Sequence, residues 1–266
     1  MLPLWMLYIL RPLKYHFAKE ENENLNQNSE KAFFKDKRFY YPLHTYVALE
    51  SLVWIWALVV CSDSVNIESP WFDGIKPHTL GEWFQFTLVL GYFAGLNAIV
   101  GHELVHKREW YNKLLGTFSY TKFMYSHFLQ EHIHGHHKDV ATPNDPCSAN
   151  YGETVYQFIP RSFFGQHLQS WQRETKRIKK VHGENVGLVV LIFFNKNTWF
   201  LLLHSGIFAT IYLLLGLGAL KYQLAYTFWG TIYLETINYI EHYGLKRKQD
   251  QNGIYESINN LHSWNS

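Results

Sequence analysis

Residues 80–106 read LGEWFQFTLVLGYFAGLNAIVGHELVH, an apolar run that ends in two histidines. The part from 80 to 100 carries one charged residue, Glu82, and has the roughly 20-residue length of a helix that crosses a bilayer core. If this helix continues, His102 and His106 lie on one face, one turn apart. The run therefore predicts a membrane-spanning helix that ends in a candidate metal-binding pair.

Three further apolar stretches have a similar length, and each carries at most one acidic residue. They cover residues 43–60, 198–220 and 222–240. Together with the span at 80–100 they predict an all-α, integral membrane multi-helix bundle within residues 43–266. Residues 1–42 are interpreted as a remnant hydrophobic segment followed by a polar linker.

The composition excludes several classes of protein. Hydrophobic residues make up 47% of the chain and aromatic residues 18%, which is ample apolar surface for a folded protein. A net charge of +2 gives no basic surface for nucleic acid, so we expect no nucleic-acid partner. The two cysteines are too few for a disulfide framework or a four-thiolate metal site.

Basic residues predict which side of the membrane each loop faces, because short loops rich in Lys and Arg stay cytoplasmic. Lysines and arginines lie before the span at 43–60 and after the span at 80–100. The loop between these spans, 61–79, has Lys76 as its only basic residue. These two spans are therefore predicted to form a hairpin with cytoplasmic ends. The later pair repeats the pattern around a predicted tight turn at Leu220–Lys221. All histidine clusters then fall on the cytoplasmic face.

A second histidine cluster, EHIHGHH, occupies residues 131–137. On an α-helix His132 and His136 share a face, His137 lies about 100° further round, and His134 points away. The alternative is a solvated polar loop that happens to be rich in histidine. A third element, NYIEHYG at 238–244, places His242 at the inner end of the last span. The charged stretch 173–180 is interpreted as a solvated helix face.

The candidate metal ligands number six: His102, His106, His132, His136, His137 and His242. A catalytic zinc ion takes about three protein ligands and a water, so six imidazoles favour two metal ions. Imidazole suits iron, copper and zinc alike, so the residue type does not choose the metal. Glu50 and Glu235 are acidic residues within the spans. They are candidates for residues that orient the metal ligands by contacting them, without binding the metal themselves.

Two other hypotheses remain open at this point. Residues 102–106 form HExxH, the signature of zinc metalloproteases, with Glu103 as the base. A membrane metalloprotease leaves the second cluster unexplained. A non-catalytic membrane paralogue is the other alternative.

The sequence resembles the membrane-bound, histidine-rich diiron enzymes and, among them, the alkane 1-monooxygenase family. The resemblance rests on GHELVHK (101–107), FLQEHIHGHHKDVATPNDPCSANYGE (128–153), YQFIPRS (156–162), NYIEHYGL (238–245) and HSWNS (262–266). The block at 139–153 distinguishes this family from broader relatives such as acyl desaturases, which share the histidine boxes.

The resemblance implies a desaturase/hydroxylase-like helical membrane protein with two non-haem iron ions on its cytoplasmic side, held by histidines. It implies a monooxygenase that inserts one oxygen atom of O2 into a C–H bond, typically at a terminal methyl of an alkane or other lipid-like hydrocarbon. Electrons would come from a rubredoxin or ferredoxin with its reductase, and the substrate from the lipid bilayer. A membrane fatty-acid hydroxylase or desaturase is the nearest alternative.

Two features differ from the family pattern. Members carry a further box, HxxxHxxHH, after HSWNS and a further hydrophobic hairpin ahead of the region at 1–10. The sequence therefore looks truncated at both ends. We expect the 266-residue chain to hold at most one iron well and not to hydroxylate alkanes.

Overall fold

The computed structural model describes residues 36–69, 71–72, 74–259 and 262–264. The predicted remnant segment and most of the linker before residue 43 lie outside these ranges. The chain divides into two compact units, Met1–Tyr41 and Pro42–Ser266. The described part of the first unit contains a short 3-10 turn, Lys37–Phe39, whose first backbone N–H groups are capped by Asp36.

The regular elements of the described residues are helical, apart from an isolated antiparallel bridge between Gln249 and Tyr255. In chain order they are α1 (Tyr40–Val60), α2 (Leu80–Val105), α3 (Trp110–Lys122), α4 (Phe128–Glu131), a π-helical turn (His132–His136), α5 (His137–Asp139), α6 (Val155–His182), α7 (Leu188–Phe194) and α8 (Lys196–His242). The predicted all-α class is confirmed.

Three helical segments in the described part of the chain are long and apolar enough to cross a membrane: Lys37–Val60, Leu80–Val105 and Lys196–His242. Large apolar side chains on the last segment, such as Leu213 and Leu214, face outward. Exposed apolar surface of this extent is typical of contact with lipid. These helices support an integral membrane protein.

Helix α8 reverses direction at Gly216, which has φ 87° and ψ −174°. His204 lies 2.8 Å from Ser126 Oγ, and Glu235 accepts a 2.6 Å bond from Tyr125. A straight helix would separate those two α8 residues by about 46 Å, so its limbs, 196–215 and 217–242, must run antiparallel. Each limb is long enough to span a bilayer.

The turn predicted at Leu220–Lys221 is wrong, because both residues lie inside regular helix. Asp63, three residues after the end of α1, instead contacts the backbone on both sides of the reversal at Gly216. The Asp63 backbone N–H donates to Leu215 O at 2.9 Å, and the Asp63 carboxylate accepts from the Gly218 N–H at 2.6 Å. Asp63 therefore caps the second limb, where helical N–H groups have no partner in their own helix.

We expect Gly216→Ala to lower stability by about 1–3 kcal/mol, because its backbone lies in a region essentially restricted to glycine. Gly206→Ala is the matched control: Gly206 is in regular helix on the same element, and an added Cβ meets nothing within 4 Å. Unfolding in mixed detergent micelles measures both. Equal stability of the two variants would contradict the assignment of the reversal to Gly216.

Helix α2 packs closely against the second limb of α8 through small residues. An added Cβ at Gly95 would lie 2.5 Å from Tyr233 Cβ, and one at Gly91 would overlap Trp229. Gly91 faces Trp229, and Gly95, one turn later on α2, faces Tyr233, one turn later on α8. The two helices therefore run parallel. Their carboxyl ends, and the histidines there, consequently lie at the same end of the bundle.

A buried ion pair lies within the bundle and joins α1 to α3. Lys122 Nζ donates to the Glu50 carboxylate, which also accepts from Tyr226 Oη of α8. Gln223 extends the network by accepting from Trp54 at 2.8 Å and donating to Lys122 O at 2.7 Å. Three helices, α1, α3 and α8, are therefore joined by buried polar contacts.

Candidate metal centre

The first histidine pair lies where α2 ends. His102 is in the last turn of α2, and His106 follows the helix directly. Their Nε2 atoms are 3.1 Å apart, so both rings turn toward one point. This is the arrangement that the four-residue spacing predicts.

The second cluster is not a regular α-helix. The backbone N–H of His137 donates to His132 O, five residues earlier, which defines the π-helical turn. This wider turn brings His132 Nε2 and His137 Nε2 to 2.9 Å. The α-helical spacing predicts that His132 and His136 share a face, whereas in the π-turn it is His137 that approaches His132.

The two elements meet and form a four-histidine group: His102, His106, His132 and His137. The Nε2 atom of His132 lies 2.7 Å from that of His102 and 3.1 Å from that of His106, and the Nε2 atoms of His106 and His137 are 3.3 Å apart. All four atoms lie within 4.8 Å of one another.

The donor set of this group fits a metal ion. Two nitrogens bound at about 2.1 Å to one ion, at right angles, are about 3.0 Å apart. Each hydrogen bond between imidazoles needs one nitrogen with a hydrogen and one without, so the close Nε2 atoms of His102, His106 and His132 cannot bond in all three pairs, whereas a cation would bind every lone pair. Burial lowers the pKa of His132 well below its ordinary value and that of His137 to about 4, so both are neutral at pH 7. Neutral imidazole is the form that binds metal.

A two-histidine pair, His136 and His242, lies beside this group with ring centroids 4.7 Å apart. Nδ1–H of His136 donates to Asp145 Oδ2 at 2.9 Å, and Nδ1–H of His242 donates to His262 O at 3.1 Å. In the neutral form of each ring, Nε2 is then an acceptor that can bind a metal. Two imidazoles are fewer than the three protein ligands typical of a catalytic metal. The described residues thus provide one four-histidine group and two candidate ligands beside it.

Asp145 orients His136, a role that the sequence analysis did not assign. Its carboxylate also accepts from Ser148 Oγ at 2.6 Å and from the Cys147 N–H at 3.0 Å, which fixes its position. Burial lowers the pKa of His136, but the charge and hydrogen bond of Asp145 outweigh burial and leave that pKa raised. The signal in the sequence was the 139–153 block, to which Asp145 belongs.

The charged stretch 173–180 is not simply a solvated face. Arg173 donates to Asp139 Oδ2 at 2.9 Å and, through Nε, to both oxygens of Glu131 at 3.3 Å. Burial raises the pKa of Glu131 to about 7, although Arg173 acts in the opposite direction. The periodicity of a charge run does not indicate which of its members faces the protein.

The two acidic residues suggested as supports lie elsewhere in the bundle. The hydrogen-bond partners of Glu50 are Lys122 and Tyr226. Those of Glu235 include Tyr125 and Gln166, at 2.6 and 2.7 Å. Their contacts therefore support the packing of helices and give no evidence for orienting a histidine.

The fatty acid desaturase family model matches residues 81–266. The chain therefore belongs to the fatty acid desaturase family, a conclusion that agrees with its helical fold and histidine groups.

Within the region of that match and beyond it, the chain is similar to curated alkane 1-monooxygenases. That of Ectopseudomonas oleovorans is 34% identical over 248 residues, which cover 92% of this chain and 57% of the relative. Alkane 1-monooxygenase 1 of Alcanivorax borkumensis is 32% identical over 266 residues, 99% of this chain and 60% of the relative. The resemblance predicted from the motifs is confirmed. The chain spans somewhat more than half the length of these relatives.

Proposed function

We propose that the protein is a membrane-bound non-haem diiron monooxygenase. It inserts one oxygen atom of O2 into a C–H bond of an alkane or other lipid-like hydrocarbon, at a terminal methyl. The observation that carries the proposal is the convergence of four Nε2 atoms on one point, beside the pair His136–His242. The names of the curated relatives support the choice of reaction.

The four-histidine group would hold one iron, and His136 and His242 would contribute to the second. Bound iron would pass electrons from the external donor to O2, whose second oxygen atom leaves as water, and would offer the open positions that oxygen activation requires. The protein contributes the neutral ligands, and the contacts at Nδ1 keep the rings of His136 and His242 oriented. A metalloprotease based on residues 102–106 gains no support, because His132 and His137 join the same group.

The partners follow from the same proposal. The exposed apolar faces of the long helices suit a hydrocarbon that enters from the bilayer. Electrons would come from a rubredoxin or ferredoxin with its reductase. The positions of Lys and Arg favour a cytoplasmic location for the metal centre, where such soluble carriers are found.

Metal analysis of the purified 266-residue chain tests the proposal. We expect ferrous iron to bind tightly at the four-histidine group, with about one iron per chain, because the second group has two described ligands. Octane, a fatty acid, rubredoxin and its reductase are then added, and products are identified by mass spectrometry.

The outcomes separate the hypotheses. A chain that binds zinc but takes up no iron contradicts the proposal. Formation of 1-octanol would support the proposed activity. Oxidation of the fatty acid alone would favour a fatty-acid hydroxylase or desaturase, which the family model keeps as the second candidate.

A further inference from the structure

The four-histidine group depends on an unusual backbone. In an α-helix, residues five apart point about 140° away from each other, so His132 and His137 would not reach one ion. The π-turn removes this separation and brings their Nε2 atoms to 2.9 Å. Because π-helical turns are rare and less favourable than α-helix, contacts outside the turn must stabilise it.

Arg173 of α6 supplies such contacts on both sides of the turn. Glu131 directly precedes the π-turn, and Asp139 ends the short helix that follows it. The guanidinium binds both carboxylates and also donates from Nη1 to His134 O, inside the turn, at 3.3 Å. One side chain therefore contacts the segment before, within and after the π-turn.

The surroundings of Arg173 favour a fixed position. Gln169, one turn earlier on α6, accepts from Nη2 at 3.1 Å. Glu131 is 1% exposed, so its charge has little solvent to stabilise it without Arg173. At Gly135 an added Cβ would overlap the Glu131 carboxylate and lie 2.9 Å from Arg173 Nε, so the glycine leaves the space that this ion pair occupies.

We propose that Arg173 is a positioning residue that holds the π-turn in the register in which His132 and His137 bind the same metal ion. A planar guanidinium can bind two carboxylates and a carbonyl at once, which an ammonium group cannot do with the same geometry. This inference rests on the proposed metal centre, since it concerns the alignment of two of its ligands.

Cobalt(II) titration of the metal-free 266-residue chain in detergent measures this alignment without any assay of activity. We expect Arg173→Met to weaken cobalt binding about 10–100-fold, the range found for partners that orient metal ligands. The visible absorption bands of bound cobalt should also change, because they report ligand geometry.

Arg177→Met is the matched control. Arg177 lies one turn further along α6 and pairs with Glu174 and the carbonyl of Phe194. The substitution removes the same charge from the same helix. The described contacts of the Arg177 side chain do not include the π-turn segment. Its cobalt affinity and spectrum should equal those of the unchanged chain within about twofold.

A second variant covers the case in which Arg173→Met fails to fold because Glu131 is left buried and unpaired. Glu131→Gln/Arg173→Met removes that charge and should restore folding, measured by circular dichroism and detergent unfolding. Cobalt affinity should stay low, because no side chain then joins the two ends of the turn. Wild-type affinity and spectrum in this double variant would overturn the inference.

The experiment also separates this inference from the proposed function. If the unchanged chain binds no cobalt at the four-histidine group, the proposed metal centre fails, and the role of Arg173 fails with it. If the unchanged chain binds cobalt and Arg173→Met binds it equally well, the metal centre stands and the positioning role is wrong.

Discussion

His132→Ala is expected to abolish tight metal binding by the four-histidine group. His132 Nε2 lies within 3.1 Å of the Nε2 atoms of His102, His106 and His137, and its side chain is buried. Its loss removes a ligand directly, so we expect a larger effect than the roughly 10–100-fold caused by losing an orienting partner. Iron content after purification and cobalt titration both measure the effect.

His134→Ala is the control for this variant. His134 lies in the same π-turn but is exposed. The same imidazole is therefore removed from the same backbone without removing a candidate ligand, and iron content should not change. Equal iron content in the His132→Ala and His134→Ala chains would contradict the proposed centre.

Lys122→Met is expected to cost about 3–5 kcal/mol of stability, the effect of removing one partner of a buried ion pair. Lys122 and Glu50 are 1% and 5% exposed, so the remaining carboxylate cannot be solvated by water. It must stay charged without its partner or take up a proton, and either event costs free energy. Unfolding in mixed detergent micelles measures the change.

Two further variants make this prediction specific. Glu50→Gln/Lys122→Met removes both charges and keeps an acceptor for Tyr226, so it should recover most of the lost stability. Lys113→Met, on the exposed side of the same helix, should change stability by no more than about 0.5 kcal/mol. If Lys122→Met were as stable as Lys113→Met, the pair would have no structural role.

The sequence predicts the parts of this protein that depend on local pattern. Apolar length predicts the long helices, and the four-residue spacing predicts that His102 and His106 converge. The clusters meet because each lies at or beyond the end of a long helix, and α2 and the second limb of α8 run parallel. Periodicity, length and charge are sufficient for these features.

Other features depend on residues far apart in the chain, which no local pattern contains. Arg173, which contacts the π-turn, lies 42 positions from Glu131 in the chain. The α-helical spacing used for the prediction therefore places His136, instead of His137, next to His132. The reversal at Gly216 depends on Asp63, 155 positions from Gly218. The ion pair between Glu50 and Lys122 is likewise not predicted by the sequence, because only the packing of the helices brings these two residues together.

The close packing of α2 on α8 also sets the geometry of the two metal groups. His102 is carried by α2 and His242 by α8, and Trp229 and Tyr233 of α8 pack directly against Gly91 and Gly95 of α2. Sliding one helix along the other is blocked by these side chains. The spacing of the two histidine groups is thus set by the long helices that carry them, and one methyl group added at Gly95 would shift it.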